Sequence, residues 1–318
     1  MRRLRSALVV GAVALVAVVA AVDGMRGGDL TLEPQSTRAG PGRVAPTAES
    51  VSGTLVYLDR RCRLHRIALP SGADSSAPRR VACGLTLDPA GRLASDGETW
   101  QPGGTLSARC TAGYVTVHAS GGEPILRRRG CSPAWKPDGS LTYVVDGSLR
   151  LSSRLRDRRL LLSARDVSHA VGLASATIGP TRLREVAWLD DRRFATLLAT
   201  NRPPGPEGLD LLVIFEGRRP VRGATFLAPR LSGLVASPRG GHLVVRTGRG
   251  PREALTLLDR NGNPSNLSFV SAHAIAWSPD ERWAAVATQR SILIFRATGP
   301  YLRVRRFAIV ATDIAWVR

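Results

Sequence analysis

Four cysteines, five histidines and a recurring aspartate are the residues of this chain with the most chemistry to offer. Cys62 and Cys83 stand 21 residues apart, and so do Cys110 and Cys131. With no Cys-x-x-Cys pair and no histidine spaced beside them, these thiols lack the usual zinc-ligand pattern and fit a disulfide framework. Four cysteines allow three pairings. His65, His118, His169, His242 and His273 are scattered through the chain. In a fold of repeats, some of them could converge on a shared axis as metal ligands or bases; the plainer account is isolated strand and loop histidines. Asp88, Asp138, Asp190 and Asp280 resemble a set of carboxylates, but each sits in a turn, where its side chain caps backbone N–H groups. There is no HExxH, no GxSxG elbow, no P-loop and no GxGxxG between a strand and a helix. Neither catalysis nor a bound cofactor or metal is therefore expected.

Charge is the next chemical feature. The chain carries 45 basic against 25 acidic residues, a formal net charge of +20, and Lys136 is its only lysine. Arginines cluster at Arg79–Arg80, at Arg127, Arg128 and Arg129, at Arg218–Arg219 and over Arg303–Arg306. A further group is Arg154, Arg156, Arg158 and Arg159, with Asp157 inside it. Regular placement predicts outer strands of successive repeats and a basic rim. Such a rim suits anionic polymers or lipid headgroups, with affinity falling as salt rises; solvated edges that deter strand addition explain the clusters equally well. The clusters lack interleaved aromatics, so specific nucleic-acid readout is not expected.

The elements that must position these residues come in repeats. A few small or apolar residues, often ending in Trp, precede a Pro/Asp/Gly turn and an apolar strand. The pattern reads LTLDPAGRLA from Leu85, PAWKPDGSLTYV from Pro133, VAWLDDRRFATLL from Val186, LVASPRGGHLVV from Leu234 and IAWSPDERWAAVA from Ile275. A truncated copy, IAWVR, ends the chain from Ile314. Aligned on the Trp position, the copies fall at Leu87, Trp135, Trp188, Ala236, Trp277 and Trp316, between 39 and 53 residues apart. Several short strands at that period predict propeller blades. Apolar stretches at Leu141–Val145, Leu243–Val245, Ala284–Ala287 and Ile292–Phe295 support strands. Residues 164–183 form an insertion, read as a loop or short helix.

The first globular segment, GTLVYLD then RLHRIAL, lacks the first strand of its own repeat, and the last segment is a first strand with nothing after it. We therefore expect an all-β, six-bladed β-propeller over residues 51–318, closed by pairing the C-terminal strand with the first blade. That pairing removes sheet edges. Cys83 and Cys131 each lie four residues before their aligned position. The two cysteine pairs are thus equivalent in adjacent blades, and symmetry selects Cys62–Cys83 and Cys110–Cys131, each tying one blade to the start of the next. An oxidising compartment follows. The Trp series reads as packing between blades rather than a carbohydrate platform.

Two copies carry the fullest motif: Ala134, Trp135, Lys136, Pro137, Asp138 and Gly139, and then AWSPDE with Trp277, Pro279 and Asp280. They resemble the WD40-like repeats of the TolB-type propeller family. The resemblance implies a periplasmic or cell-surface propeller that binds proteins or glycans.

Ahead of the propeller, Arg2, Arg3 and Arg5 precede an apolar run from Ala7 to Val22, ended by Asp23. A basic flank before an apolar run is an export signal. Residues 1–22 are read as a signal anchor or signal peptide, and 23–50, rich in Gly and Pro without periodicity, as a flexible tether. The expectation is a single-pass membrane protein, secreted if the signal is cleaved. Its propeller is monomeric and extracytoplasmic, and binds a protein or cell-envelope component. The alternatives are a lyase- or hydrolase-type enzyme with a central-channel site and a binder of anionic polymers.

Overall fold

The repeat begins with a strand and a reverse turn that are built alike around the molecule. Lys136 N–H donates to Ser140 O at 2.8 Å, and Gly139 N–H donates to Lys136 O at 3.0 Å. The same pair of bonds recurs at Asp88 and Gly91, Gln101 and Gly104, Ser237 and Gly240, and Ser278 and Glu281. The last residue of each turn is left-handed, with φ between 60° and 82°, which favours Gly over any residue with a Cβ. At Gly240 space decides as well, because a Cβ there would overlap the Leu189 carbonyl of the preceding turn.

A computed structural model of the chain describes residues 51–318 except 74, 76, 96, 120–121, 171–180, 201–208, 249–252 and 298–302. The expectations for residues 1–22 and 23–50 lie outside the described residues. No helix among the described residues is long and apolar enough to cross a membrane.

Within this part, β1 (Gly53–Asp59), β2 (Arg63–Leu69) and β3 (Arg79–Arg80) run antiparallel. A hairpin follows, β4 (Leu85–Leu87) with β5 (Leu93–Ser95). Four-stranded sheets then succeed one another. The first holds β6 (Thr99–Trp100), β7 (Leu106–Thr111), β8 (Tyr114–Ala119) and β9 (Pro124–Arg129). The next holds β10 (Cys131–Trp135), β11 (Leu141–Val145), β12 (Ser148–Ser152) and β13 (Arg159–Leu162). A short helix α1 (Ala164–Ala170) leads to β14 (Thr181–Trp188), β15 (Arg193–Thr200), β16 (Leu209–Glu216) and β17 (Arg219–Pro229). The remaining sheets are β18 (Ser232–Ala236), β19 (His242–Thr247), β20 (Ala254–Asp259) and β21 (Pro264–Val270), then β22 (Ala272–Trp277), β23 (Trp283–Thr288), β24 (Ile292–Arg296) and β25 (Arg303–Phe307). Finally β26 (Ala311–Val317) returns to pair antiparallel with β1, Tyr57 opposite Ile314 and Thr54 opposite Val317. The chain's last strand is the one its first repeat lacks.

The sheets number seven among the described residues, where six blades were expected: six are four-stranded, and the seventh is the β4–β5 hairpin. Leu87 belongs to this hairpin, and β7–β9 pair with β6 instead. The cause is local. After β5 the chain turns directly into Thr99–Trp100, leaving no residues for a third and fourth strand on the hairpin.

Apolar side chains join the sheets face to face. Five clusters connect the β6–β9 sheet to β10–β13, that sheet to β14–β17, and onward through β18–β21 and β22–β25 to the β26–β1–β2 sheet. In the last of these, Trp316 and Ile314 are 2% and 3% exposed and pack with Leu55, Tyr57 and Trp283. The cysteines pair as Cys62–Cys83 and Cys110–Cys131, with Cα separations of 5.2 and 5.0 Å, ordinary for a disulfide. The first joins the β1–β2 turn to the entry of β4, the second joins β7 to β10.

Deleting Thr312–Arg318 should therefore be far worse than an ordinary terminal truncation. Loss of a buried Trp alone costs about 3–5 kcal/mol, and here a sheet edge is exposed as well. Thermal melting with and without these residues tests it; an unchanged midpoint would show that β26 does not hold the ring closed.

Candidate functional site

The innermost strand of every sheet faces a common central space of about 490 Å³. All six aligned positions line it: Leu87, Trp135, Trp188, Ala236, Trp277 and Trp316. Trp100 on β6 lines it too, a residue that the motif alignment does not include. The indoles fall into two groups. Three are tied to neighbouring elements: Trp135 Nε1 donates to Thr99 O at 3.1 Å, Trp188 Nε1 to Thr142 Oγ1 at 2.9 Å, and Trp316 Nε1 to Ser52 O at 3.1 Å. These side chains serve packing between sheets, the role read for the Trp series. The other two, Trp100 and Trp277, have buried Nε1 atoms without a hydrogen-bond partner. A buried donor left unpaired costs about 1–3 kcal/mol. Trp277 also stacks on His242, ring centroids 5.1 Å apart, and burial pulls the His242 imidazole down from its ordinary value despite the nearby carboxylates of Glu281 and Asp259.

One side of the cavity is polar, with Asp313, His273 and Arg246 in its lining. Burial raises the Asp313 carboxyl, outweighing the N–H groups of Leu87 and Ile314 and the positive charge of His273 and Arg246, which lower it. Leu87 N–H donates to Asp313 Oδ2 at 2.5 Å and Ile314 N–H to Oδ1 at 2.9 Å, so this carboxylate fastens the hairpin to β26. His273 Nε2–H donates to Ala311 O at 2.6 Å, while Arg246 binds His273 O and pairs with Glu253 at 2.8 Å.

The histidines do not converge. His273 lines the cavity, but His65 lies on β2, stacked on Tyr57 and 3.1 Å from Asp59 Oδ2. His118 is on β8 and His242 begins β19, and the His169 side chain lies outside the described residues. No group of three or more His, Cys, Asp or Glu able to hold a metal occurs among the described residues.

The aspartates cap turns. Asp88 Oδ1 accepts from Ala90 and Arg92 N–H, Asp138 Oδ1 from Ser140 N–H, Asp190 Oδ1 from Arg192 and Arg193 N–H, and Asp280 Oδ1 from Arg282 N–H. Asp59 and Asp259 cap outer hairpins in the same way. Burial pushes Asp59 up, yet the backbone N–H of Arg63, the His65 and Arg63 side chains and the Arg61 N–H together hold it down at about 2.

The arginine clusters lie on outer strands: Arg79–Arg80 form β3, Arg127, Arg128 and Arg129 end β9, Arg219 opens β17 and Arg305–Arg306 are in β25. Arg154 is in a 3-10 turn after β12, its side chain outside the described residues; Arg156, Arg158 and Arg159 are exposed. Several of these arginines are already engaged. Arg127 lies over the Tyr114 ring, Arg129 pairs with Asp146, Arg218 donates to Leu160 O and Arg305 to Ser71 O.

Trp100 and Asp313 were not legible as site residues. For Trp100 a signal existed: Trp100, Gln101, Pro102 and Gly103 form a Trp-x-Pro-x turn like that of Trp135. Its 13-residue distance from Leu87 is too short for a whole blade, and this hides it.

Sheets set around one central space, each facing it with its innermost strand, and closed by pairing β26 with β1, define a β-propeller. No protein-family model and no curated protein matches the chain. Among solved structures it is similar to apo AztD from Citrobacter koseri, at 13% identity over 84% of this chain and 98% of that one, with a TM-score of 0.51. TolB from Acinetobacter baumannii is 15% identical over 83% of this chain and 66% of that one, TM-score 0.46. The Cps50 (Swd1) propeller domain of Myceliophteria thermophila is 12% identical over 83% and 89%, TM-score 0.45. At such identities the likeness is one of fold.

The carboxylate of Asp59 gives the outer β1–β2 hairpin a pH signature. Its value in the folded chain lies below the ordinary 3.8, so its contribution is present above pH 3.8 and is lost as pH falls through about 2. Urea midpoints measured down this range should fall more steeply for the wild type than for Asp59→Asn. Parallel curves would mean that the turn does not hold this carboxylate ionised.

Proposed function

We propose that the protein is an exported, TolB-type propeller of six full blades and one hairpin blade that binds a protein or cell-envelope ligand without transforming it. In this reading residues 1–22 anchor the chain in a membrane, 23–50 form the tether, and the propeller works as a monomer on the extracytoplasmic side. The observation that carries it is the aromatic cavity with two indole N–H groups left unpaired, Trp100 and Trp277. An apolar wall with a few convergent polar groups is the usual character of a ligand site. Export is supported by the two cystines, which persist in oxidising compartments. A catalytic role for Asp313 is disfavoured because its oxygens already bind Leu87 and Ile314. The exposed arginines of β3, β9 and β13 favour a second reading, a binder of anionic polymers.

Immobilised protein should capture one component from envelope extracts. Trp100→Phe and Trp277→Phe, which remove the N–H together with the five-membered ring that carries it, should each weaken capture by about tenfold or more, the effect of at least one hydrogen bond of about 1.4 kcal/mol. Capture indifferent to both variants but abolished by moderate salt would establish the polymer binder instead. A reporter fused after Arg318 should be active only outside the cytoplasm.

A further inference from the structure

The two-stranded hairpin leaves one sheet partly uncovered. On the β6–β9 sheet, Ala108, Val115 and Val117 pack against Trp135, Leu141 and Tyr143 of the next sheet. The opposite face looks towards β4–β5, which has no third or fourth strand to cover β7, β8 and β9. On that face lies a cleft of about 400 Å³, lined by Arg109, Thr111, Thr116, His118, Ile125 and Arg127 among others. Its size is in the range of small-ligand sites, about 300–1,000 Å³.

The strand register makes this a built arrangement. Arg109 stands opposite Thr116, and Thr116 opposite Arg127, so the three form one row across the sheet. Two like charges flanking a hydroxyl in such a row repel each other, and among the described residues no carboxylate pairs with either. The Arg109 Nε is buried without a partner, and so is His118 Nε2. His118 Nδ1–H donates to Gly122 O at 3.0 Å, which in the neutral ring leaves Nε2 as an acceptor for a hydroxyl donor. Ile125, 51% exposed, supplies an apolar contact.

Strand addition to the hairpin does not use this gap. Ser95 N–H is taken by Glu98 Oε2 at 2.8 Å and Ser95 O by Glu98 N–H at 3.0 Å, which blocks the outer edge of β5.

We propose that this cleft binds an acidic saccharide, its carboxylate held by Arg109 and Arg127 and its hydroxyls by Thr111, Thr116 and His118. Guanidinium forks suit a planar carboxylate, while a hydroxyl-rich ligand uses both the threonines and the imidazole acceptor. The site lies outside the central cavity and does not depend on the function proposed for it.

Calorimetric titration of the full chain with trigalacturonate tests this. Binding is expected, with none by neutral maltotriose. Arg109→Gln and Arg127→Gln should each weaken it by about tenfold or more, and His118→Phe should weaken it without changing the salt dependence. Melting curves of the variants should match the wild type, so that lost binding is not lost fold. Equal affinity for hexaglutamate would overturn the saccharide assignment in favour of an acidic peptide. Equal affinity for inorganic phosphate or sulfate, or no binding of trigalacturonate, would overturn the site.

Discussion

Pairing of β26 with β1 is the constraint on which this architecture rests. A propeller sheet gains most of its stability from neighbours packed on its faces, and a ring gives every sheet a neighbour on each side only if its first and last sheets are completed and meet. Here the closing strand supplies Trp316 and Ile314 to a cluster that also contains Leu55 and Tyr57 of β1 and Trp283, Ala285 and Ile294 of the adjacent sheet. Without it, the first sheet would lose its innermost strand and the β22–β25 sheet would lose the surface it packs on. Closure by strand pairing also covers the inner edge of β1, so that β26 faces the central space as the innermost strand does in every other sheet.

Apolar packing carries the ring through five consecutive contacts, from the β6–β9 sheet round to the first sheet. The remaining sector is different in kind. The hairpin's turn at Gly91 rests on Val317 and Val56, but directed polar contacts hold much of the rest. Asp313 accepts from Leu87 N–H on one side. On the other, Arg92 pairs with Asp88, lies over the Trp100 ring at 4.2 Å and donates to Gly104 O. A short hairpin buries too little apolar surface to fix its own position, so charge-assisted bonds define it. Burial of Asp313 raises its carboxyl even with those N–H groups in place, a cost the fold accepts in order to seat the hairpin.

Most of the fold was legible because the period-forming residues are local. Trp135, Trp188, Trp277 and Trp316 mark innermost strands, the Pro/Asp/Gly turns follow them, and the equivalence of the two cysteine pairs follows from the same spacing. What could not be read came from contacts between distant residues. Asp313 acquires its role only because Leu87, 226 residues away in sequence, lies beside it. The hairpin was hidden for another reason. Leu87 and Trp100 both precede turns of the repeat type, and a reader who expects one turn per blade assigns the pair to a single sheet. The unpaired indoles of Trp100 and Trp277 were equally invisible, since Trp135, Trp188 and Trp316 have the same residue type and do find partners.

The two disulfides take their meaning from this uneven ring. Cys62–Cys83 fastens the first sheet to the entry of the hairpin, and Cys110–Cys131 fastens the β6–β9 sheet to the sheet after it. The first lies in the sector where face-to-face apolar packing is thinnest, and the second spans the apolar contact next to that sector, at the start of the six-sheet arc where packing is continuous. In the chain-entropy account, closing a loop of about 20 residues contributes roughly 3 kcal/mol through the unfolded state. That is comparable to what one well-buried aromatic side chain adds elsewhere in the ring. Covalent links therefore stand in for a missing half-sheet. They let the β6–β9 sheet stay anchored while the face bearing Arg109, Thr116 and Arg127 remains open to solvent.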